Sequence, residues 1–118
     1  MPTPPKPTAG QVVIAVYRPK PSKGPELETI LRRHVATLRA VGLATSRPAM
    51  LLRSFVDGTY LEIFEWVSGE AAGRAHDVPA VAELWGAMAQ IADFPPISDL
   101  SEARVRFAHF APVDGVTA

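Results

Sequence analysis

The apolar positions of this chain change their period several times, and each change marks an element. Residues 11–17 are apolar on both faces, with Val12, Ile14 and Val16 on one side and Val13, Ala15 and Tyr17 on the other. That pattern predicts a strand needing cover on both sides, stopped by Pro19 and Pro21. Leu27, Ile30, Leu31, His34, Val35, Leu38 and Val41 then recur at steps of three and four, the spacing of one amphipathic helix. Pro25 suits its first turn, Glu26 and Glu28 its positive end, and Gly42 a left-handed stop.

Two further apolar runs, over 50–56 and 59–67, flank Asp57-Gly58, a pair that favours a two-residue type I′ turn between antiparallel strands. In that register Val56 faces Thr59, Phe55 faces Tyr60, Arg53 faces Glu62 and Leu51 faces Phe64. Ser68 can cap a short helix to about His76. Asp77 and Pro79 then mark a second start, for a helix burying Val81, Leu84, Trp85, Met88 and Ile91 or Ala92. A loop with Pro95 and Pro96 leads to a last expected strand over 103–110, ended by Pro112.

The predicted order is β-α-β-β-α-β. It implies an α+β domain over 11–112 with a ferredoxin-like, four-stranded antiparallel sheet and both helices on one face, between a disordered lead-in (1–10) and a short tail (113–118). The face carrying Leu61, Ile63 and Glu65, the more aliphatic one, is assigned to the helices. The opposite face would be bare in a monomer, so a homodimer through the sheet face is expected, with Arg53 and Glu62 as an ion pair at its seam.

Composition narrows the function classes. In 118 residues, 47% are apolar and 20% charged, and Lys plus Arg balance Asp plus Glu at 12 each, leaving no net field to draw nucleic acid or an anionic membrane. With no cysteine there is no disulfide, thiolate nucleophile or sulfur-ligated metal. No apolar run approaches the length of a bilayer span, and the proline-rich start does not read as a secretory signal, so a cytoplasmic location is the expectation. Glycine-rich phosphate loops, a Gly-x-Ser-x-Gly elbow and a His-Glu-x-x-His helix are missing, and no metal or cofactor is called for. RNA-recognition domains share the element order but carry a basic third strand, whereas residues 60–66 hold Glu62 and Glu65.

The candidate chemistry lies in the histidines, the side chains that titrate near neutrality. His34, inside the helical stripe, is either a pocket residue or a histidine satisfied by a core hydrogen bond. His76, at the helix break, is the leading candidate base, the alternative being a histidine that complements a helix dipole. Glu65 on the helix-facing side would need a partner, and His76 or His34 would supply a carboxylate-oriented imidazole. His109 reads as a packed or dimer-facing residue. Trp85, Trp66, Met50 and Met88, with His34, are the expected pocket lining.

Glu62-Ile63-Phe64-Glu65-Trp66, Ser68, Glu70-Ala71, Ala75-His76 and Pro79 resemble the antibiotic-biosynthesis monooxygenase-like members of the dimeric α+β barrel superfamily. The resemblance covers about residues 11–112. It implies two sheets closing into a dimeric α+β barrel, a pocket between sheet and helices in each protomer, and cofactor-independent oxygenation of a small apolar or aromatic substrate. An isomerase, a cyclase or a non-catalytic binding dimer are the other roles found in such a group. The haem-degrading branch has its ligand histidine beyond a tryptophan of the second long helix; here Trp85-Gly86 is followed by none, and His76 comes too early.

Overall fold

The computed structural model describes residues 9–118, so most of the expected lead-in over 1–10 lies outside the described residues. Strand β1 (Gln11–Pro19) is followed by helix α1 (Gly24–Ala40), which turns Leu27, Ile30, Leu31, His34, Val35 and Leu38 inward as the stripe predicts. Pro25 sits in its first turn, where no intrahelical N–H is needed. The helix stops at Gly42, whose φ of +77° lets the Leu43 N–H close back on the Leu38 carbonyl at 2.9 Å. Strands β2 (Met50–Arg53) and β3 (Tyr60–Trp66) follow, then helices α2 (Ala71–Ala75) and α3 (Pro79–Ile91), broken at Asp77, Val78 and Pro79. Two very short strands complete the sheet, β4 (Ala92–Asp93) and β5 (Ala111–Pro112).

The sheet corrects the expected fold class. It is a single antiparallel sheet of five strands in the order β4-β1-β3-β2-β5, with three helices, and not the four-stranded β-α-β-β-α-β ferredoxin-like sheet that the periodicity predicts. The difference arises after α3. β4 pairs with β1 only at Arg18 and Pro19, and residues 103–110 never enter the sheet. The chain instead takes two 3-10 turns, Ile97–Asp99 and Ser101–Arg104, and returns at the far edge, where β5 pairs with β2. Two anchors draw it away from a strand path. Leu100 packs on Val16 and Leu61, and buried Glu102 accepts the Ser54 hydroxyl at 2.7 Å.

The hairpin register is shifted as well. Met50 pairs with Ile63, Leu51 with Glu62, Leu52 with Leu61 and Arg53 with Tyr60, so no ladder pair joins Arg53 to Glu62. The turn is wider than two residues because side chains compete for its backbone. Ser54 Oγ accepts the Val56 N–H at 3.1 Å, Asp57 Oδ1 accepts the Thr59 N–H at 3.0 Å, and the Ser54 N–H reaches the Thr59 carbonyl at 2.8 Å. Of the two expected turn residues only Gly58 has a positive φ (+74°), whereas a type I′ turn requires it at both. A slip of two residues preserves which side chains share a face.

The faces themselves are exchanged relative to expectation. Tyr60, Phe64 and Trp66 of β3, with Tyr17 and Leu51, pack against the helices, and Glu62 goes with them. Aromatic rings fill the gap between sheet and helices better than the aliphatic set Leu61 and Ile63, which turns to the outer face. That face is not bare: residues 100–110 cross part of it, with Leu100 at the centre of a small cluster of Val16, Leu61, Leu52, Ile63 and Phe110. Leu100→Ala is therefore expected to destabilise the fold by ~2–5 kcal/mol in denaturant unfolding, as a buried core leucine does. Phe107→Ser, at a residue 75% exposed on the same segment, should stay within about 0.5 kcal/mol of wild type. Equal, small effects at both positions would show that the segment is not held on the sheet.

Candidate functional site

Position 62 is an even-numbered residue between Tyr60 and Phe64, so strand alternation sends its carboxylate inward among aromatic rings. There it is 1% exposed, and it survives because two elements bring it donors. The Tyr17 hydroxyl of β1 donates to Oε1 at 2.8 Å. His34 Nδ1 of α1 lies 2.9 Å from Oε1 and 3.1 Å from Oε2. A third element completes the chain, since the Trp85 indole N–H of α3 donates to His34 Nε2 at 2.8 Å.

The last bond fixes the tautomer. An indole N–H only donates, so Nε2 must be the bare nitrogen and the single ring proton sits on Nδ1, directed at Glu62. A proton on Nε2 would set two N–H groups head to head. The row Trp85, His34, Glu62, Tyr17 thus has every proton placed and no lysine or arginine in it. Burial, then the adjacent Glu62 charge and their hydrogen bond, push the Tyr17 hydroxyl well above the ordinary tyrosine range. Tyr17 remains a phenol and a donor.

Beside this row lies a cavity of about 700 Å³. Its walls are residues 13–17 of β1, Phe64 and Trp66 of β3, and Trp85, Gly86 and Met88 of α3, together with Phe94 to Ile97. The volume matches what small-molecule sites require, and the walls are almost wholly apolar. Of the expected site residues, the structure brings His34, Trp66, His76, Trp85 and Met88 to this one cavity. His76 stands at its margin, exposed to solvent, with its ring edge-on to Trp85 at a centroid distance of 4.9 Å. His34 is 2% exposed yet forms part of the wall.

The structure does not bring Glu65 or Met50 there. Met50 lies on the outer face and is 56% exposed. Glu65 also points outward, where a hydrogen bond from Thr45 Oγ1 at 2.8 Å, and then one from Arg47 Nε at 3.1 Å, hold its carboxyl below the usual range. The carboxylate that meets an imidazole is Glu62, which with Tyr17 is absent from the set that the sequence points to. A signal for it exists in the chain: an acid alternating with Tyr60 and Phe64 cannot sit on a buried face without a donor, and His34 interrupts an otherwise aliphatic stripe. Among the described residues no group of three or more His, Cys, Asp or Glu is placed to hold a metal ion, and no helix is long and apolar enough to cross a membrane.

The tyrosines offer a direct check. Burial, followed by its hydrogen bond to Glu28 at 2.8 Å, pushes Tyr60 up to about 12. Both tyrosines therefore have folded-state values above the unfolded one of about 10, so their contribution to stability is complete below pH ~10 and is lost as pH rises above that, for Tyr60 through about 12. Tyrosinate absorbance should stay flat near pH 10 in the folded protein and rise there once denaturant is added. A step near pH 10 without unfolding would contradict the buried placement of Tyr17.

In comparisons with models of protein families, with curated proteins and with solved structures, the chain matches none.

Proposed function

We propose that this chain binds a small apolar or aromatic molecule in the cavity between sheet and helices and acts on it as a cofactor-independent monooxygenase of the cytoplasm. The observation that carries the reading is an aromatic and aliphatic cavity with the His76 imidazole at its margin, making an edge contact with Trp85 and no hydrogen bond among the described residues. An imidazole with its nitrogens uncommitted can take a proton from a substrate; those of His34 are committed. Glu65 does not orient His76, so the base works without a carboxylate behind it.

The reaction is written on a methylene activated by flanking aromatic rings. His76 takes one proton, and the resulting carbanion reacts with dioxygen. One oxygen atom becomes the carbonyl that replaces the methylene, and the other leaves as water with the two hydrogens. Dioxygen supplies the oxidising equivalents, so no other reductant or oxidant enters.

Wild type incubated in air with an anthrone-type substrate is expected to take up oxygen, and His76→Ala to do so about 10²–10⁴ times more slowly, the usual worth of a positioned base. Equal uptake in the two would remove His76 from the mechanism. Product formed without oxygen would favour an isomerase or cyclase at the same site.

The outer face supports a homodimer. Val12, Ile14 and Met50 remain 57%, 48% and 56% exposed on the part of the sheet that residues 100–110 leave open, an apolar surface suited to a second copy. Ile14→Glu should move sedimentation at micromolar concentration from the mass of two chains to that of one. A wild type already sedimenting as one chain would dispose of the dimer.

A further inference from the structure

The cavity contains a second polar group that is present but covered. His34 Nε2 is a bare acceptor in the cavity wall, fixed in that state by the Glu62 carboxylate behind the ring, and the indole N–H of Trp85 sits on it at 2.8 Å. A carboxylate on one ring nitrogen and an acceptor on the other, in a histidine that lines an apolar cavity, is the arrangement that receives a hydroxyl proton in acid–base sites. The donor that now meets it comes from the protein itself.

Trp85 is the least buried member of the row. It is only partly buried, whereas His34 and Glu62 are 2% and 1% exposed. It lies across the seam between the two halves of the core and packs against both. Its neighbour Gly86 is exposed and also lines the cavity. His34, by contrast, is tied at Nδ1 to both oxygens of Glu62, and Glu62 is tied to Tyr17. The acceptor stays while its cover can leave.

We propose that the Trp85 indole N–H holds the place of a ligand hydroxyl, and that an aromatic ligand bearing a hydroxyl group displaces it and donates to His34 Nε2. This rests on the reading that the cavity takes an aromatic molecule, and it adds the group by which that molecule is recognised. The exchange trades one hydrogen bond for another at the same nitrogen, so His34 keeps its tautomer and Glu62 keeps both donors. A hydroxyl-free aromatic occupies the cavity without disturbing the indole, because it has nothing to offer Nε2.

The test uses 1-naphthol and naphthalene as probes on the full chain. With 1-naphthol bound, solvent exchange of the Trp85 indole proton, followed by NMR, is expected to accelerate, and with naphthalene bound it should not. In Trp85→Phe, where Nε2 is uncovered, the preference for 1-naphthol over naphthalene should rise roughly five-fold, about the worth of one net hydrogen bond. If both probes bind and neither alters exchange, Trp85 is a fixed wall: the proposal falls while the cavity reading stands. An equal change in affinity for both probes in Trp85→Phe overturns the proposal in the same way. If neither probe binds wild type, both readings fall together.

Discussion

A carboxylate closed off from water costs several kcal/mol unless its oxygens are satisfied, and Glu62 is closed off with no lysine or arginine paired to it among the described residues. Its solution is a line of neutral donors drawn from separate elements: a phenol from β1, an imidazole from α1 and, behind the imidazole, an indole from α3. Hydrophobic packing alone tolerates small slides of a helix over a sheet, because one aliphatic contact resembles another. Hydrogen bonds of 2.8–2.9 Å do not. The row therefore fixes how both long helices sit on β1 and β3, and with them the shape of the space between.

The same row explains why a cavity built around a buried acid has such apolar walls. Each polar atom of the row faces another atom of the row, so none is left without a partner beside the cavity. The imidazole left outside this accounting is His76, at the helix break. Pro79 makes that break unavoidable: it ends the preceding helical path and starts α3 afresh, which leaves the end of α2 at the cavity margin.

Much of this is legible in the chain. The stripe from Leu27 to Leu38, the stop at Gly42 and the break at Pro79 are local signals, and the structure keeps each of them. Helix periodicity turns His34, Trp85 and Met88 inward, whereas Trp66 lies on the strand face that the sequence assigns away from the helices, and only the exchange of faces brings it to the cavity. Three features depend on distant partners and cannot be read that way. Residues 103–110 alternate like a strand, but Leu100 and Glu102 have already committed the chain to the outer face. Asp57-Gly58 reads as a tight turn until the side chains of Ser54 and Asp57 compete for the backbone around it. Both faces of β3 carry an acid among apolar residues, and choosing Glu62 over Glu65 requires knowing that Tyr17 and His34 lie within reach of one, Thr45 and Arg47 of the other.

The chain has two tryptophans, and both stand in the wall of one cavity, Trp85 with an imidazole on its edge and another on its nitrogen. Ultraviolet emission from this protein consequently has no contribution from any remote indole. The molecule carries its own optical reporter, confined to the walls of that one cavity, and needs no attached dye for a change there to be seen.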